Sequence, residues 1–168
     1  MNDENIQFLN GGNFLLTLSQ FCITESIQPK HNKIHGSEII KQFNLSPDDY
    51  IVFASGAMVA HGLMDKNEDI DMYIKPDKFK LLVKNGKLKK FTKYDGQVTY
   101  YADPTETVDC SDKIFMGNKS EKWWFKHTDV IDGIRVLSIE GLKYFYKELY
   151  NKLGQEKHKK RLDMLEKL

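Results

Sequence analysis

The sequence predicts an α/β (α+β) domain, a mixed β-sheet with flanking helices. Three observations lead there. Short β-branched and aromatic runs recur from Tyr50 onward, each of strand length. Asp-Gly pairs at Asp95-Gly96 and Asp132-Gly133 sit between such runs and mark hairpins. Segments at helical spacing carry their own start and stop residues, from Pro76 to Asn85-Gly86 and from Ser138 to Gly154.

Composition sets the bounds. The chain has 168 residues, 40% of them hydrophobic and 12% aromatic, enough for a core and against global disorder. With 25 basic and 24 acidic side chains the net charge is +1, which excludes a nucleic-acid binder that relies on bulk charge. Any such surface must be local. No apolar run approaches the roughly 20 residues that span a bilayer, so no membrane association is expected. Met1 to Gln7 is polar and acidic, unlike a secretory n-region. Cys22 and Cys110 make neither a disulfide framework nor a zinc site, and a reducing cytoplasm is the expected location. His31 and His35 have no third ligand nearby and do not read as a metal site.

The elements follow in order. Residues 1–48 read as an N-terminal helical or irregular extension, and residues 49–168 as the main domain, the two making one compact unit. Phe14 to Ile23 suits helix or strand, and Gln28 to Lys33 reads as a loop. Ser37 to Phe43 reads as a short helix stopped by Asn44 and Pro47. Tyr50 to Ala54 is a buried strand, broken by Ser55-Gly56 before a helix over Ala57 to Leu63. Asp69 to Ile74 alternates polar and apolar residues, as a strand with one buried face does. A helix from Pro76 to Lys84 follows, then strands over Leu88 to Thr92, Val98 to Ala102 and Thr107 to Cys110, with Lys113 to Met116 compatible with more sheet. Val130-Ile131 and Ile134 to Leu137 form the second hairpin. Ser138 caps a helix over Ile139 to Leu153, and Glu156 to Leu168 is a last helix with Leu162 and Leu165 on its inner face.

Three pieces combine into a chemistry. The small-residue turn at Ser55-Gly56 opens a helix, whose first amides lack helical partners and suit a phosphate. Asp69 and Asp71, two apart on a strand, share a face and can grip one hard cation through oxygen. Asp109 lies between apolar neighbours in a later strand. If that strand lies beside the first, three carboxylates converge: two hold Mg²⁺, and the third helps bind metal or takes a proton from an attacking hydroxyl. Each piece alone is commonplace, the turn as a mere turn and the Asp-x-Asp as a solvated face. The ordered set is far less so.

This set resembles the nucleotidyltransferase superfamily, the polymerase-β-like enzymes, and within it the minimal antitoxin-linked, abortive-infection and antibiotic-modifying branch. The resemblance rests on Ser55-Gly56-Ala57-Met58-Val59-Ala60-His61-Gly62-Leu63 followed by Glu68-Asp69-Ile70-Asp71-Met72-Tyr73-Ile74. A softer similarity lies in Gly133-Ile134-Arg135-Val136-Leu137-Ser138, then Lys157-His158 and Arg161-Leu162. It implies a nucleotidyltransferase-like fold and Mg²⁺-dependent transfer of a nucleoside monophosphate from an NTP to an acceptor hydroxyl, releasing pyrophosphate. The acceptor is an RNA or tRNA 3′ end, a protein or a small molecule. It carries over Asp69 and Asp71 as ligands of one or two Mg²⁺ ions, Asp109 as the third carboxylate, and Ser55 and Gly56 as the triphosphate turn. A family lysine on the first C-terminal helix corresponds to Lys143 or Lys147, which share a helix face. The family's usual Gly-Ser order is inverted at Ser55-Gly56. That inversion motivates an alternative, an inactive module of this fold that binds nucleotide, RNA or a partner protein.

Two further segments stand out. Lys75 to Lys93 holds eight lysines against one aspartate, a surface for RNA or simply a solvated face. Phe79 and Phe91 within it fit core positions. Trp123-Trp124-Phe125 reads as core packing or a cap on the sheet rather than a base-stacking site. His61 is expected to be a packed or partly exposed histidine, and Cys22 and Cys110 buried thiols.

Overall fold

The structure, a computed structural model, describes residues 33–92, 98–102, 107–114 and 116–168. The expectations for Phe14 to Ile23, for Gln28 to His31 and Asn32, for Cys22 and for the Asp95-Gly96 turn fall outside these residues. His31–Leu168 form one compact unit.

Helix α1 (Ser37–Gln42) leads through a single 3-10 turn (Pro47–Asp49) into β1 (Tyr50–Val52). Helix α2 (Ala54–Ala60), β2 (Ile70–Ile74) and α3 (Pro76–Lys84) follow, then β3 (Lys89–Thr92), β4 (Val98–Tyr101) and β5 (Val108–Ser111). The chain closes with α4 (Glu121–Lys126), the hairpin β6 (Thr128–Ile131) and β7 (Ile134–Leu137), then α5 (Ile139–Leu153) and α6 (Glu156–Leu165). The seven strands make one mixed sheet in the order β3-β4-β5-β2-β1-β7-β6. β2 pairs with β5, and β1 with β7, in parallel; the other neighbours are antiparallel. The expected mixed α+β architecture with flanking helices is thus present.

Local chemistry accounts for the elements. Tyr50, Ile51 and Val52 are all buried, as a continuous apolar strand at the centre of a sheet requires. Pro76 occupies the first turn of α3, where its missing N–H costs nothing, and Phe79 and Leu82 turn inward three residues apart. Asp132 and Gly133 both have positive φ, 51° and 77°, the geometry of a tight two-residue hairpin. Ser138 caps α5 by accepting from the Gly141 N–H at 3.2 Å, and Gly154 closes it in the left-handed conformation. Leu142, Phe145 and Tyr146 form its buried stripe.

Two expectations need correction. Helix α4 was not legible as a helix: Trp123-Trp124-Phe125 lies within it, and the Ser120 side chain caps it by accepting from the Trp123 N–H. Trp124 is fully buried against Phe53 and Tyr144, the core role expected of the cluster. Phe91 is not a core residue. It stands 43% exposed on the edge strand β3, because β4 is that strand's sole sheet neighbour.

Candidate functional site

The sheet register brings the distant carboxylates together. In the β2–β5 pair, Asp71 lies directly opposite Asp109, and Ile70 opposite Val108. Opposed residues point to the same side of a sheet, so Asp71 and Asp109 share one face, and Asp69, two residues before Asp71, adjoins it. The apolar residues between them, Ile70, Met72, Val108 and Cys110, are buried on the other side. Alternation along two strands is what delivers the acids to one surface and the hydrophobes to the core.

The approach to β2, where Asp69 precedes the strand and Asp71 lies within it, is held by a side chain that gives no signal in the sequence. Asn67 is buried; its Nδ2 donates to the carbonyls of Asp69 and His35, each at 3.0 Å, and its Oδ1 accepts from the His35 N–H at 2.9 Å. A buried amide with three partners is rigid, and losing it strands those polar groups. In sequence it is one polar residue in a polar loop, with no signal of this role.

The turn beside the acids comes earlier than expected, and the helix starts three residues sooner. Helix α2 begins at Ala54 and not Ala57, so Ser55 and Gly56 lie inside its first turn. Ala54, with φ of 49°, takes the left-handed conformation expected of a glycine turn. Gly56 has a different reason to be glycine. A Cβ there would lie 2.9 Å from Cγ1 of Val52, so the missing side chain lets α2 settle onto β1. The Ser55 side chain is buried, and its hydroxyl reaches the Asp69 carbonyl at 3.5 Å. Phe53 N–H donates to the Asp71 carbonyl at 2.9 Å. The turn and the acidic strand are therefore tied backbone to backbone. A phosphate at this turn would meet main-chain N–H groups, with the Ser55 hydroxyl occupied elsewhere.

Asp109 is engaged already. Its carboxylate accepts a hydrogen bond from the Thr99 hydroxyl on β4. Among the described residues, no group of three or more His, Cys, Asp or Glu side chains is placed to hold a metal ion. The donor set fits a hard divalent cation by chemistry, carboxylate oxygens on one face. Thr99 uses one oxygen of the Asp109 carboxylate, and a carboxylate offers about four acceptor positions.

A second group flanks the acids. Tyr146 on α5 is fully buried, and burial pushes its phenol up to about 12; Arg161 opposes that rise, while Asp71 and Asp69 add to it. Those influences place Tyr146 within electrostatic reach of the two aspartates. Arg161 on α6 donates to the Tyr146 hydroxyl at 3.2 Å and lies over its ring, 5.5 Å from the centroid. His158, one turn earlier, stacks on the same ring at 6.2 Å. It is 6% exposed, its Nδ1 has no partner, and burial lowers its pKa, with Lys157 and Arg161 adding to that effect. The sequence reading placed Lys157-His158 and Arg161 among the closing helices without a role for either.

The lysines carried by the resemblance sit on α5, Lys143 half-buried and Lys147 exposed. His61 is packed as expected, with its Nε2 2.7 Å from the Leu137 carbonyl. Cys110 is buried, also as expected. Among the described residues no helix is long and apolar enough to cross a membrane. Comparison with known proteins finds no matching family model, no matching curated protein and no matching solved structure.

Proposed function

We propose that this protein is a Mg²⁺-dependent nucleotidyltransferase that moves a nucleoside monophosphate from an NTP to an acceptor hydroxyl, in the manner of the minimal polymerase-β-like enzymes it resembles. One observation carries the reading: Asp71 and Asp109 stand opposite each other on adjacent parallel strands, with Asp69 two residues away and a left-handed helix-opening turn alongside. The turn adds support. Read from the residue that takes positive φ, the order is Ala54 then Ser55, a small residue followed by serine, which supports the resemblance despite the inverted Ser55-Gly56 pair.

Asp69 and Asp71 would hold the cation, with Asp109 as the third carboxylate. The bound Mg²⁺ would neutralise charge building on the phosphates as pyrophosphate leaves. The backbone N–H groups around Ser55 and Gly56 would orient the triphosphate tail. Asp109, oriented by Thr99, would take the acceptor hydroxyl's proton. Lys143 or Lys147 would meet the tail from α5.

The test is incubation with labelled NTPs, Mg²⁺ and a panel of RNA, protein and small hydroxyl acceptors. Label should move in the wild type and fall about 100-fold or more in Asp69→Ala and Asp71→Ala. Transfer that survives both substitutions overturns the reading. A second reading, a module of the same fold that binds nucleotide, RNA or a protein without turnover, is favoured by the Thr99–Asp109 hydrogen bond, which engages one oxygen of the third carboxylate. Nucleotide binding by calorimetry that is indifferent to Mg²⁺ and to Asp71→Asn would select it.

A further inference from the structure

The acidic face continues outward across the sheet. Lys89 on β3 is opposite Tyr101 on β4, Tyr101 is opposite Asp109 on β5, and Asp109 is opposite Asp71 on β2. These four residues form one row across four strands, all on the same side. Strands lie about 4.8 Å apart, so the row spans about 14 Å from Lys89 to Asp71. Phe91, two residues after Lys89, projects from the same side and meets the Tyr101 ring edge-on at 5.8 Å between centroids. Phe91 is 43% exposed, and every residue of β3 is exposed.

A lysine on an edge strand commonly guards against pairing with another chain. That role explains Lys89 and Lys90. It does not explain an exposed phenylalanine on the same strand, which works against the guard. A ring propped on a neighbouring tyrosine beside a lysine, on a surface leading to carboxylates, fits a different chemistry. Bases of single-stranded RNA ends stack on aromatic rings while lysines meet their phosphates.

We propose that Phe91, Tyr101 and Lys89 form a landing strip for the single-stranded 3′ end of an RNA, Phe91 stacking on a base and Lys89 meeting a phosphate, so that the terminal hydroxyl reaches Asp109 and Asp71. The inference rests on the nucleotidyltransferase reading for what happens at that end, and names RNA as its acceptor.

The test measures binding apart from chemistry. A fluorescent oligoribonucleotide with a free 3′ end is titrated with the full chain, without NTP, by anisotropy at several salt concentrations. The Phe91→Ala variant should bind about 5-fold or more weakly. Lys89→Ala should weaken binding and lower the salt slope by about 0.7. Lys152→Ala, which removes the same charge from an exposed position at the end of α5, should leave both unchanged. All three positions are exposed, so folding is preserved, and circular dichroism checks it. No binding by the wild type, equal effects of Lys89→Ala and Lys152→Ala, a Phe91→Ala variant that binds like wild type, or equal affinity for DNA of the same sequence would each overturn the inference. RNA binding that depends on Phe91 without any label transfer would sink the proposed activity and leave the landing strip. Transfer to another acceptor, indifferent to Phe91 and Lys89, would do the reverse.

Discussion

The centre of the sheet and its β3 edge obey different rules. The inner strands β2, β1 and β7 are covered on both sides: Ile51, Val52, Ile70, Ile74, Val136 and Leu137 are wholly buried. The outer strand β3 has four exposed residues in a row, with Phe91 and Lys89 on the side that bears the aspartates. Helices α2 and α3 lie on the opposite side, α2 on Val52 and Ile70, α3 through Phe79 on Tyr100. The difference teaches where each region spends its side chains. Inner residues contribute burial, and outer ones contribute a surface. The acidic row lies where the two regimes meet, anchored by buried neighbours and open on one side.

Substitutions can break this contrast. Ile51→Ala removes a wholly buried side chain between two covered faces and should cost about 2–5 kcal/mol. Phe91→Ala on the outer strand should cost within about 0.5 kcal/mol. Urea unfolding of both variants measures the gap, and equal losses would erase the distinction.

A smaller effect tests how the turn is seated. Gly56→Ala gains about 1 kcal/mol of helix propensity but overpacks Val52, which costs about 1–3 kcal/mol. The expected net loss is about 1 kcal/mol. Val52→Ala in the same chain opens the space, so the double variant should lose less than the sum of the two single losses. Strict additivity in a double-mutant cycle would show that Gly56 and Val52 do not contend for that space.

The smallest effect concerns the closing helices. Burial lowers the His158 pKa below its unfolded value, near 6.5, so the folded chain binds fewer protons at this site than the unfolded chain. Its stability is therefore complete above about pH 6.5 and declines as pH falls through that value toward the lower folded pKa. His158→Phe keeps the stack on Tyr146 and removes the titration, and should flatten this part of the urea midpoint between about pH 7.5 and 5. Identical pH profiles for variant and wild type would count against a neutral, buried His158.

Much of the fold was legible because its signals are local. Pro76 and Gly86 bracket α3, Ser138 and Gly154 bracket α5, and Asp132-Gly133 turns the last hairpin, each acting on its own few residues. Helix α4 escaped because it is only six residues long and its inner residues are aromatic, so periodicity had no length in which to appear. Ala54 escaped because nothing in an alanine signals positive φ; the turn between β1 and α2 imposes it. Asn67 escaped because two of its three contacts are to His35, far away in the chain.

The candidate site divides along the same line. The sequence alone determined the strand that carries Asp71, and its expectation that Asp69 shares a face with Asp71 rests on an alternation of period two. It also determined a break between β1 and α2, though it placed that break at Ser55-Gly56, and a strand around Asp109. Only tertiary structure decided that β5 runs parallel to β2 with Asp109 opposite Asp71, that Thr99 holds Asp109, and that Phe91 stands outside the core on the acidic side. Strand order and register arise from pairings between residues distant in the chain. No window of neighbouring residues contains that information; it emerges only when the hydrophobic faces of the whole sheet are buried together.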